Sequence, residues 1–186
     1  CRSTLPPITG NTEIQYVTTL DSKNSGPHVL VNALTHGNEV CGAHALDYLF
    51  RNEVTPVHGK LSLSFANIDA YKTFDAANPS ASRYLDEDFN RLWAAGILEA
   101  PTRSREHERA KTLRPLIDEI DHMLDLHSMQ PPSPALALAG TTEKCLATCM
   151  AIGVHAAIVV YTGHAAGVRL PPLRRSSQQA QCGVNL

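Results

Sequence analysis

Short apolar, β-branched runs alternate along the chain with stretches whose apolar residues recur every three or four positions. EIQYVTTL (13 to 20), HVLVNALT (28 to 35), KLSLSFAN (60 to 67), HMLDLHS (122 to 128), ALALAG (135 to 140) and AAIVVYTG (156 to 163) predict strands. Between them, Val40, Ala43, Leu46, Leu49 and Phe50 fall on one side of a helix, as do Ala110, Leu113, Leu116, Ile117 and Ile120. Ser104, followed by Glu106 and Glu108, marks the start of the second of these helices, and Pro115 predicts a kink in it because its ring removes a helical N–H. A third helix is predicted over 143–152, entered through Thr141 and Thr142. Strand, helix, strand order of this kind predicts an α/β fold with a mainly parallel sheet and helices on both faces. No internal repeat interrupts it.

Composition narrows the class. At 186 residues, 43% hydrophobic and 18% charged, the chain has material for one globular core. Sixteen Lys and Arg against eighteen Asp and Glu leave no basic excess for a phosphate backbone, so nucleic acid is not an expected partner. No run approaches the roughly 18 apolar residues of a membrane span, and the first residues lack the apolar centre of a signal peptide. A soluble, cytoplasmic protein with no membrane partner is expected. The five cysteines are odd in number and form no CxxC pair, which predicts reduced thiols.

In a parallel sheet, loops leaving the carboxyl ends of strands converge side chains into a site. Two such turns carry metal-ligand chemistry: THGNEVCG after the second strand and DLHSMQPPS after the fourth. His36 and Glu39 stand three residues apart where strand gives way to helix, a spacing that lets an imidazole and a carboxylate close on one ion. The same pair in isolation also fits a helix-start acid beside a surface histidine. His127, at the end of another strand, supplies a third ligand, and two His with one carboxylate leave a fourth position open, as in catalytic zinc sites. Asp125, two residues earlier on the same side of that strand, is either an acceptor orienting a ligand imidazole or an acid paired with a nearby Lys or Arg. His28, His44, His58, His107, His122 and His155 have no partner at ligand spacing and read as surface or satisfied core groups; His164 also follows a strand.

NPSASRYLDEDFNRLW (78 to 93) packs Arg83, Asn90 and Arg91 among three acids. The guanidinium fork matches a carboxylate bidentately and Asn can donate beside it, so the cluster suits an acidic substrate. The alternative is a solvated charge run with internal ion pairs to Asp86, Glu87 and Asp88.

Together, THGNE, NPxAxxRYLDEDFNRLW, DLHS and GHAAG resemble the succinylglutamate desuccinylase and aspartoacylase family of zinc carboxypeptidase-like hydrolases, from about residue 28 to about residue 169. The resemblance implies a three-layer α/β/α sandwich with a mainly parallel mixed sheet, and one Zn2+ per chain held by His36, Glu39 and His127. It implies that Arg83 polarises the scissile carbonyl, that Asn90 and Arg91 hold the carboxylate of an N-acyl amino acid, and that the reaction is amide hydrolysis. It also implies a catalytic domain over 1–169. The family's general base is a glutamate in a segment resembling ECG; this chain has QCG, with Gln181 at that position and no Asp or Glu after Glu143. Glu143 itself, at a helix start, reads as a capping group. The tail, 170–186, lacks the apolar alternation of a closing strand and reads as an atypical replacement for the family's closing segment.

A zinc hydrolase acting on the amide or ester bond of a small N-acyl amino acid-like carboxylate, impaired for want of its base, is therefore expected. Two alternatives stand beside it: a zinc-binding pseudoenzyme that holds such a ligand without turnover, and a non-catalytic α/β assembly module.

Overall fold

The structure is a computed structural model that describes residues 9–128, 134–153, 157–160 and 180–185. Seven strands make one mixed sheet: β1 (Val17–Asp21), β2 (His28–Ala33), β3 (Lys60–Phe65), β4 (His122–His127), β5 (Leu136–Ala139), β6 (Ala157–Val160) and β7 (Ala180–Asn185), in the order β1-β3-β2-β4-β7-β5-β6. The pairings β2–β3, β2–β4, β4–β7 and β5–β6 are parallel, while β1–β3 and β5–β7 are antiparallel.

Among the described residues five α-helices accompany the sheet: α1 (Val40–Arg51), α2 (Ile68–Lys72), α3 (Ala95–Leu98), α4 (Arg105–Glu119) and α5 (Glu143–Ile152). Strand alternation sorts the core into two sides. Leu30 and Met123 lie side by side on β2 and β4 and bury Ala110, Leu113 and Ile117 of α4, with Phe89 and Trp93. On the other face Ala33, Leu63 and Phe65 meet Ala43 and Leu46 of α1, and Ala137, Ala139 and Leu124 meet Cys145 and Cys149 of α5. The result is the three-layer α/β/α sandwich with a mainly parallel mixed sheet.

Several local expectations are corrected. Residues 13–16 are not strand: Tyr16 donates its N–H to the Thr9 carbonyl at 3.1 Å and turns at a φ of 63°, so β1 begins only at Val17. The tail does supply a strand: β7 lies between β4 and β5, where pairing on both sides overrides its weak apolar pattern. Against the expectation of reduced thiols throughout, Cys149 is disulfide-bonded. The helix starts are as the sequence predicts, with Ser104 Oγ accepting from His107 N–H at 3.0 Å and Thr142 Oγ1 from Cys145 N–H at 3.2 Å.

Candidate metal centre

β2, β3 and β4 run parallel, so their carboxyl ends share one edge of the sheet. His36 follows β2 in the first turn of that edge, and Glu39 is the residue from which α1 departs. Glu39 makes no capping hydrogen bond to its own helix; its carboxylate turns instead to two imidazoles. Oε1 lies 2.8 Å from His36 Nδ1 and Oε2 lies 2.6 Å from His127 Nδ1. Gly37 permits this turn to lie against its neighbours: a methyl group there would overlap the Ser82 carbonyl and the Ala70–Tyr71 backbone.

One ligand atom from each of His36, Glu39 and His127 falls within 4.8 Å of the others, a group that can hold a metal ion. The outer nitrogens are already engaged. His127 Nε2 meets Asp125 Oδ2 at 2.7 Å, and His36 Nε2 meets Asp88 Oδ1 at 3.2 Å. Asp125 accepting from His127 Nε2–H is the outer partner that would leave Nδ1 to a metal once the proton Nδ1 shares with Glu39 is displaced. Asp125 is anchored in turn, its Oδ1 accepting from Asn32 Nδ2 and Thr35 Oγ1, both at 2.8 Å. The alternative of a Lys or Arg partner for Asp125 is thus replaced by an imidazole, an amide and a hydroxyl. Asp88 is not distinguishable in sequence from its acidic neighbours Asp86 and Glu87.

The electrostatics follow from burial and pairing. Burial disfavours the charged form of Glu39, but the hydrogen bonds from His127 and His36 outweigh it and bring its pKa down to about 2. Burial likewise disfavours imidazolium at His127, yet Asp125 and Glu39 push its pKa up to about 10. Asp88 is held well below the usual carboxylate range: burial opposes this, and His36 and the Asn90 N–H more than compensate.

Arg83 reaches the same centre, with Nη1 3.2 Å from Glu39 Oε1 and Nη2 3.0 Å from His36 Nε2. Arg91 Nη2 lies 3.9 Å from Asp88 Oδ2. Asn90 is buried and donates its backbone N–H to Asp88 Oδ1 at 2.8 Å. The charge-run alternative fails for Asp86 and Glu87, whose partners are Arg105 at 2.9 Å and Arg103 at 2.6 Å, both from the start of α4 and its approach. Gln181 is not level with the trio: the β4–β7 register sets it opposite Met123, whereas Asn185 stands opposite His127. Four residues of strand separate the two levels, about 13 Å. His164 lies outside the described residues. Of the remaining histidines, His28 meets Ser62 Oγ at 2.8 Å and His122 meets Thr148 Oγ1 at 3.2 Å. His107 departs from expectation, wholly buried with neither ring nitrogen hydrogen-bonded. An open cavity lined by Asp21, His28, Lys60, Glu119 and Asp121 lies at the opposite ends of β2 and β3, away from this chemistry.

The chain was compared with known proteins. Residues 25–182 match the family model of the succinylglutamate desuccinylase/aspartoacylase catalytic domain. Two curated relatives, from Rattus norvegicus and Mus musculus, are each an N-acyl-aromatic-L-amino acid amidohydrolase (carboxylate-forming). The first is 30% identical over 62% of this chain and 38% of its own length, the second 32% over 54% and 33%. The chain thus spans little more than a third of the relatives it matches. The crystal structure of the succinylglutamate desuccinylase from Chromobacterium violaceum superposes with a TM-score of 0.69 at 20% identity, covering 91% of this chain and 56% of that one. Among the described residues no helix is long and apolar enough to cross a membrane. With more than four fifths of its length inside that model, the chain belongs to the succinylglutamate desuccinylase/aspartoacylase family.

Proposed function

We propose that this chain is a zinc-dependent amide hydrolase for small N-acyl amino acids, slowed by the lack of a proton-relaying carboxylate. The observation that carries the reading is the convergence of His36, Glu39 and His127, with the outer nitrogen of His127 bound by Asp125 and that of His36 lying between Asp88 and Arg83. Two nitrogens and a carboxylate suit zinc. Bound there, zinc would supply the Lewis acidity that makes water nucleophilic at neutral pH.

The protein's own groups divide the remaining work. Arg83 stands at the trio with a third of its side chain exposed, placed to donate to a substrate carbonyl oxygen as negative charge develops on it. Arg91, beside Asn90, offers a partly exposed guanidinium for the substrate carboxylate. Asp125 and Asp88 hold the imidazoles in orientation. Among the described residues around the trio, no carboxylate is left uncommitted to take a proton from water and deliver it to the leaving nitrogen. Glu39, Asp88 and Asp125 are each committed to imidazoles.

The same shortage favours the second reading, a zinc protein that binds N-acyl amino acids without turning them over. Steady-state hydrolysis of N-acetyl-L-phenylalanine by the zinc-loaded protein separates the two. A zinc-dependent rate about a hundredfold to ten-thousandfold below the roughly 10 s⁻¹ typical of enzymes is expected. Binding with no measurable rate favours the second reading, and a typical rate refutes the missing relay. Absence of stoichiometric zinc after reconstitution overturns both and leaves the assembly module. An ester analogue should lose less than the amide, because an alkoxide needs less help to leave.

A further inference from the structure

Glu106 is the most deeply buried carboxylate of the described residues, only 1% exposed, and no Lys or Arg pairs with it. Its partners are N–H groups. Oε1 accepts from Leu85 N–H at 2.6 Å and Asn67 Nδ2 at 3.3 Å; Oε2 accepts from Asp86 N–H at 3.1 Å and Glu87 N–H at 3.4 Å. Three consecutive backbone donors in an irregular segment are thus satisfied by one side chain in the first turn of α4, where the helix dipole favours negative charge. That segment is flanked by Arg83 on one side and by Asp88, Asn90 and Arg91 on the other. Asn67, at the end of β3, ties the same carboxylate to the sheet edge that carries the trio.

We propose that Glu106 is a positioning residue: it clamps residues 85–87 to α4 and the sheet so that Arg83 and Arg91 are presented to the His36, Glu39 and His127 centre. The inference rests on the roles given to these arginines above. The neighbouring ion pairs, Arg103 with Glu87 and Arg105 with Asp86, have arginines that are half exposed or more, and contribute little by comparison. A carboxylate is specifically required. An amide offers one acceptor oxygen, and its NH2 would oppose backbone N–H groups that need an acceptor.

The test uses Glu106→Gln in the full chain, with Arg103→Gln/Arg105→Gln as control. Calorimetric titration of N-acetyl-L-phenylalanine into zinc-loaded protein should show affinity lowered about tenfold or more in Glu106→Gln, and within about twofold of wild type in the control. Zinc stoichiometry should be unchanged, since Glu106 touches none of the trio. Where turnover is measurable, KM should rise more than kcat falls. Hydrogen exchange on the wild type gives a second readout that needs no variant to fold: the amides of Leu85, Asp86 and Glu87 should be protected to the level of α4. Unchanged affinity in Glu106→Gln, an equal loss in the control, or free exchange of those amides in the wild type overturns the proposal. Failure of the wild type to bind the probe sinks the functional reading instead, while the exchange measurement still decides whether Glu106 clamps the segment.

Discussion

Asp125 gathers three partners around the centre, since Asn32, Thr35 and His127 all converge on its two oxygens. Its effect on a metal is indirect, through the ring it orients. Asp125→Asn should weaken zinc affinity by about 10–100-fold in chelator competition, while His127→Ala should abolish stoichiometric zinc by elemental analysis. Away from the centre, burial lowers the pKa of His28 and His122 beneath the ordinary 6.5, with Lys60 and Lys144 adding to it. In the window just below 6.5 the unfolded chain therefore binds more protons than the folded one, and these two residues make stability fall as pH falls. The difference in urea midpoint between pH 7.5 and pH 5.5 should accordingly shrink in His28→Gln/His122→Gln. At this scale legibility followed spacing. His36 and Glu39 are three apart, and Asp125 and His127 two apart, so local geometry alone put each pair on one side. Asp88 acts across 52 residues, and no local pattern distinguishes it from Asp86 or Glu87.

Elements place these side chains by how closely they approach one another. α1 rests on β2 and β4 at Gly42, where an added methyl would stand 2.9 Å from Leu126 Cβ and 3.1 Å from Ala33 Cβ. Gly42→Ala should therefore lift the helix that begins beside Glu39, costing about 1–3 kcal/mol in denaturant unfolding and weakening zinc binding with it. Leu46→Ala, one turn further along the same buried stripe, should cost about 2–5 kcal/mol and leave zinc affinity nearly intact, since it opens a void without moving the turn. Periodicity made α1, α4 and α5 readable, and their starts at Ser104 and Thr142 were visible from the capping residues. β1 and β7 were less so, for different reasons. The residues ahead of β1 are diverted by hydrogen bonds to residues 9–12, and AQCGVN becomes a strand only because β4 and β5 offer it two hydrogen-bonding edges.

Across the whole molecule, the sheet follows chain order nowhere near its middle. β7, the last described strand in sequence, sits between β4 and β5, which do not pair with each other. The register that seats it places residue 181 level with Met123, so Gln181→Glu is expected to leave hydrolysis unchanged; an increase of about a hundredfold would instead assign the proton relay to that position. The seat also has a kinetic meaning. On the ribosome, β2, β3 and β4 can pair as they emerge, but the β5–α5–β6 unit, which touches β4 through α5 side chains, has no strand pairing to them until residues 180–185 have cleared the exit tunnel. Until then the growing polypeptide carries two bare strand margins, one on each half, open to capture by chaperones or by another nascent copy.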